Sequence, residues 1–68
     1  MELKFSERLN ELMDEKKLTA TALANIIGVK DTTVLRWRKG QINPTVDKIV
    51  LLCDYFGVTA DYLLGLED

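Results

Sequence analysis

An all-α domain of five short helices is what this sequence predicts, and three observations carry that reading. Apolar residues return at intervals of three and four along most of the chain, the period of a helix with one buried face. Gly28, Gly40, Gly57 and Gly65 each follow such a stretch, at the place where a helix end favours glycine. No segment alternates apolar and polar residues as a strand would, and no internal repeat, low-complexity tract or linker interrupts the pattern. Residues 1–68 are therefore expected to form one domain, close to the lower size at which an apolar core is sufficient.

The first helix is expected over FSERLNELMDEKK, with Phe5, Leu9, Leu12 and Met13 on one face, Ser6 as N-cap and the lysines closing the last turn. Glu7, Glu11, Asp14 and Glu15 fall on its polar faces as solvated charges. Thr19 announces the second helix, because its hydroxyl can accept from the free N–H groups of the turn that follows. Leu23, Ala24 and Ile27 form its stripe, and Gly28 ends it by taking the left-handed conformation at no steric cost. Val29 follows as an apolar plug, and Lys30-Asp31-Thr32-Thr33 restarts a helix with Val34 and Trp37 inward that stops at Gly40. The loop GQINPT comes next, with Ile42 expected in the core and Asn43 biased to extended geometry by Pro44. A fourth helix is expected from about Pro44 to Phe56. Its apolar residues Val46, Ile49, Val50, Leu52, Cys53 and Phe56 exceed one stripe, which suggests the central core helix. Gly57 caps it, Val58 packs, and Thr59 starts a short last helix ended by Gly65.

Several functions are disfavoured by composition. The longest apolar run is far short of the ~20 residues that a membrane helix needs, and MELKFSERLNEL is charged from its second residue, unlike a leader. The chain is therefore expected in the cytoplasm. Cys53 is the only cysteine and there is no histidine, so neither a disulfide nor a metal site is expected, and Cys53 is read as a small core hydrophobe. Without histidine or a paired-carboxylate pocket, an enzyme is not expected, nor are a cofactor or a small-molecule site.

Net charge is −2, the wrong sign for approaching phosphate, but the distribution is uneven. Residues 16–44 hold six basic side chains against one acidic, and the remainder holds three basic against ten acidic. Such a molecule can present one basic face to a polyanion. The third helix also leaves Asp31, Thr32, Leu35, Arg36 and Arg38 outside its buried pair, the build of a helix that reads a DNA groove.

The string LTxxxLAxxxGVxxxTVxRWxxGxxNP resembles the helix-turn-helix of the Cro and phage-repressor family, also called the xenobiotic-response-element type. Ala24, Gly28 and Val29 carry the turn, and Val34, Trp37, Gly40, Asn43 and Pro44 follow at the expected interval. The resemblance runs through the flanking helices and implies a lambda-repressor-like domain that binds double-stranded DNA and regulates transcription, as a repressor. Two departures stand out: Ala20 where the family carries a phosphate-clamping Gln, and Lys30 followed by Asp31 where it carries a capping Ser.

Asp31, Thr32, Leu35 and Arg36 are the candidates for base contact. The planar fork of Arg36 can donate twice to guanine or hold a phosphate; Thr32 can hydrogen-bond a base or pack its methyl on thymine, and Leu35 offers only apolar contact. Asp31 either accepts from cytosine or stabilises its own helix start. Backbone contacts are expected from Lys17, Thr19, Thr21, Lys30, Thr33, Arg38, Lys39, Gln41 and Asn43. Trp37 could stack on a base, but its spacing from Val34 and Ile27 favours the core.

A single domain with so few phosphate contacts binds weakly at physiological salt, and two-fold pairing on a palindromic operator would double them. Tyr55, Phe56, Val58, Tyr62, Leu63, Leu64 and Leu66 are more apolar groups than a small terminal helix hides, so a homodimer through the last two helices is expected. The alternative is a protein-interaction module, of antitoxin or antirepressor type, that uses this apolar surface.

Overall fold

The computed structural model describes residues 3–66, and its five helices are α1 (Phe5–Glu15), α2 (Ala20–Ile27), α3 (Asp31–Arg38), α4 (Val46–Phe56) and α5 (Ala60–Leu64). No strand occurs among the described residues. α2 and α3 pack against each other, α1 lies across α3 and α5, and α4 closes the bundle against α2 and α5. The result is a lambda-repressor-like arrangement of 29 × 23 × 22 Å.

One core joins all five helices. Phe5, Leu9 and Met13 of α1 meet Leu23 of α2, Val34 and Trp37 of α3, Leu52 of α4 and Leu63 of α5, each essentially sealed from solvent. Spacing explains the α1 contribution, since positions 5, 9, 12 and 13 share one face of a helix. Trp37 receives the ring of Phe5 edge-on at 6.1 Å, which ties α3 to α1 from below.

Local chemistry accounts for the turn between α2 and α3. The Thr19 hydroxyl accepts from the Ala22 N–H at 3.1 Å, satisfying one donor of the first turn. Gly28 takes φ 88, and the N–H groups of Gly28 and Val29 both donate to the Ala24 carbonyl. This left-handed closure turns the chain in two residues and drops Val29 onto the core. The same closure recurs at Gly57 and Val58. At the far end, the Lys4 N–H donates to the Leu64 carbonyl at 3.0 Å. Gly65 lies so near that an added Cβ would come within 2.6 Å of the Lys4 Cβ.

Several expectations need correction. Ser6 is not the N-cap of α1; Lys4 holds that place without a side-chain bond, because sinking Phe5 into the core starts the helix two residues earlier than a Ser6 cap would. The lysines lie beyond α1 rather than in its last turn: Lys16 is the C-cap, and Lys17 takes φ 52 so that the Leu18 N–H reaches the Met13 carbonyl. α4 begins at Val46, since Thr45 is still extended, and Pro44 therefore stands outside it. Nor is α4 the central core helix. It buries only Leu52 and Phe56, while Val46 is 77% and Val50 56% exposed, because α1 to α3 already fill the space. Ile42 stays 38% exposed at the loop surface.

Candidate nucleic-acid interface

α3 has two sides of opposite character. Val34 and Trp37 point into the core, and Asp31, Thr32, Leu35, Arg36 and Lys39 are exposed. Thr32, Leu35, Arg36, Lys39 and Gln41 together line one shallow depression of about 190 Å³. Gln41 belongs there because Gly40 reverses the chain and the Gln41 N–H donates back to the Arg36 carbonyl at 3.0 Å. Five side chains from either side of a helix end are thus brought together.

Asp31 turns toward its own helix. Its carboxylate accepts from the Thr32 N–H at 2.8 Å, and an acidic group in the first turn complements the positive end of the helix. Lys30, the N-cap residue, makes no side-chain capping bond and is exposed. Thr33 is half-buried beside a second cleft of about 220 Å³ that it shares with Ile42, Asn43, Thr45 and Lys48. Lys48 lies past the basic segment and inside an apolar helix, so the sequence does not single it out. Its pattern carried no signal; the α3–α4 loop brings it to Thr33 and Asn43. Thr45 donates its hydroxyl to the Asp47 carboxylate, and that bond holds Asp47 below its ordinary acidity range, more than neighbouring Lys48 does.

Lys17, Thr19 and Thr21 are all exposed around the start of α2. Ala20, in place of a polar clamp, packs against the edge of the core. Arg38 stands apart from the other basic residues. Its Nε donates to Asn10 Oδ1 at 2.5 Å, and its guanidinium lies 3.5 Å from Asp14, so it faces α1.

The surface expected for a second copy is also rearranged. Phe56 and Leu63 are buried, being needed by the core of the same chain, and offer nothing to a partner. Val58, Tyr62 and Leu64 are half-buried, with the Arg8 guanidinium 4.7 Å over the Tyr62 ring; Tyr55 and Leu66 are exposed. Val46, Val50 and Leu51 add exposed apolar area on α4.

Burial pushes the Cys53 thiol up, with Asp54 adding to the shift. Among the described residues no three His, Cys, Asp or Glu side chains gather as metal ligands would, and no helix is long and apolar enough to cross a membrane.

A sequence model of the helix-turn-helix family matches residues 9–63, which takes in the α2–α3 pair and the helices that brace it. The chain belongs to this family, of the Cro and phage-repressor type. It is a family of DNA-binding regulators and not of enzymes. The chain is 34% identical over 64 residues to the uncharacterized helix-turn-helix transcriptional regulator YobD of Bacillus subtilis, covering 94% of this chain and 57% of that protein. It is 32% identical over 66 residues to the transcriptional activator BcrR of Enterococcus faecalis, covering 97% of this chain and 32% of that one. A crystal structure of a transcriptional regulator from Listeria innocua superposes with a TM-score of 0.94 at 28% identity, over 100% of this chain and 64% of the other. The chain thus spans between 32% and 64% of the length of these relatives.

Proposed function

We propose that residues 1–68 act as one domain that binds duplex DNA with sequence preference, placing α3 in the major groove to regulate transcription. The observation that carries this reading is the gathering of Thr32, Leu35, Arg36, Lys39 and Gln41 on the solvent side of a helix whose other side is locked into the core. Arg36 reads guanine, Thr32 and Leu35 contact neighbouring bases, and Asp31 serves chiefly the helix start. Lys17, Thr19, Thr21, Lys30, Thr33, Lys39, Gln41 and Asn43 meet phosphates, and Lys48 joins them through the cleft it shares with Thr33 and Asn43.

The partner DNA is read as a palindromic operator bound by a homodimer, paired through the exposed apolar side chains of α4 and the chain end, with Tyr55 and Leu66 among them. Covering the operator makes repression the simplest outcome, and a DNA partner implies a cytoplasmic location. Selection of duplexes from a random pool, followed by salt titration of the enriched site, tests the reading. A log–log slope near −0.9 for each phosphate met is expected. No enrichment, with weak salt-insensitive binding, would sink it.

The second reading, a protein-interaction module of antitoxin or antirepressor type, is favoured by the exposed Val46, Val50 and Leu51. Apolar docking of that kind would persist in high salt.

A further inference from the structure

Arg38 is the one basic side chain of α3 that the fold turns away from the exposed face, and what holds it is specific. The Asn10 side-chain amide donates from Nδ2 to the Arg38 carbonyl at 3.0 Å, while its Oδ1 accepts from Arg38 Nε at 2.5 Å. A carbonyl can only accept and a guanidinium can only donate, so the two bonds fix the amide's orientation and use both of its ends. The Arg38 guanidinium then reaches Asp14 at 3.5 Å, one turn further along α1 on the same face as Asn10. The Arg38 carbonyl is one of those left without a partner at the end of α3, so Asn10 also closes that helix from outside.

We infer that Asn10 is a positioning residue for sequence reading and that Arg38 is its anchor rather than a phosphate ligand. The inference rests on the proposed DNA-binding role. Val34 and Trp37 hold the underside of α3 by apolar packing, which tolerates small rotations. The directional pair at Asn10 sets the roll of the last turn about the helix axis. That roll decides where Arg36 and Lys39 point, because they share the turn with Arg38. Base recognition by a planar fork depends on such angles, whereas a point charge near phosphate does not.

Four variants and one measurement on the unaltered protein test this. On the selected duplex and on random duplex, Asn10→Ala and Arg38→Ala are each expected to lower the ratio of the two affinities by roughly 3- to 30-fold, with the double variant no worse than either. A change in folded fraction alone would scale both affinities together and leave the ratio unmoved. The salt slope of Arg38→Ala should stay at the wild-type value; flattening by about 0.9 would identify a phosphate contact and overturn the inference. Arg38→Lys keeps charge and helix propensity but loses the Nε bond. It should show the same loss of ratio, and wild-type discrimination by this variant would equally overturn it. In the free protein, NMR should find the Arg38 Nε proton slow to exchange and close to the Asn10 amide. Fast exchange there would remove the clamp whatever DNA does, whereas a protected proton in a protein that enriches no duplex would sink the DNA reading and leave the clamp standing.

Discussion

α3 and α4 are both surface helices with one buried side, yet their outward sides are chemical opposites. α3 exposes Thr32, Leu35, Arg36 and Lys39; α4 exposes Val46, Val50, Leu51 and Tyr55. The shorter helix of the two is the better anchored, with Trp37 and Val34 below, Asn10 and Asp14 at its last turn, and a left-handed glycine at each flanking turn. The reading side proposed for α3 must hold its angles, and directional bonds do that. The pairing side proposed for α4 needs only area, which α4 supplies with two i, i+4 pairs, Val46 with Val50 and Leu51 with Tyr55.

Truncating the shared foundation removes both sides together. Trp37→Ala is expected to cost about 3–5 kcal/mol, a large part of the roughly 3–10 kcal/mol available to a chain of this length, so thermal unfolding should show little folded protein. Val50→Glu combined with Leu51→Glu should separate the two helices' roles. Sedimentation is expected to show only monomer, and affinity for a two-half-site operator should fall on the order of 10²- to 10⁴-fold with single half-site binding unchanged. Retained dimer with intact operator binding would move the pairing surface off α4. On the α3 side, Arg36→Ala should lose about 1–3 kcal/mol against the selected site and relax preference at one base position, read by competition with point-substituted duplexes. Lys39→Ala is expected to weaken all duplexes alike and flatten the salt slope by about 0.9. A control away from both sides is Lys17→Gly. Lys17 sits at φ 52, a conformation that costs a non-glycine residue about 1 kcal/mol, so the melting temperature should rise even as one proposed phosphate contact is lost.

Features set within four residues were legible from the chain. Thr19 and Thr59 accept from the N–H groups of Ala22 and Tyr62 because a hydroxyl at a helix start has few other donors in reach. Gly28 and Gly57 close helices as their positions suggested. Ser6 is the exception, because burial of Phe5 in the core outweighs a hydroxyl cap and leaves Lys4 as the N-cap. The outward side of α3 was legible because Val34 and Trp37, three apart, fix which way the helix faces. Arg38 looked like its basic neighbours because Asn10, its partner, lies 28 positions away and carries no charge to announce the pairing. Lys48 is legible only in the fold, because a lone lysine in an apolar helix has no local context that marks it.

Periodicity and capping chemistry therefore settled the helices, the turn between α2 and α3, and the polar side of α3, since each depends on neighbours along the chain. How the core's limited volume was shared depended on packing: Phe56 and Leu63 were drawn inside, Val46 and Val50 were left out, and Arg38 was turned back onto α1. Those outcomes rest on competition between distant groups for the same space and the same hydrogen-bonding partners, and no local pattern in the chain encodes it.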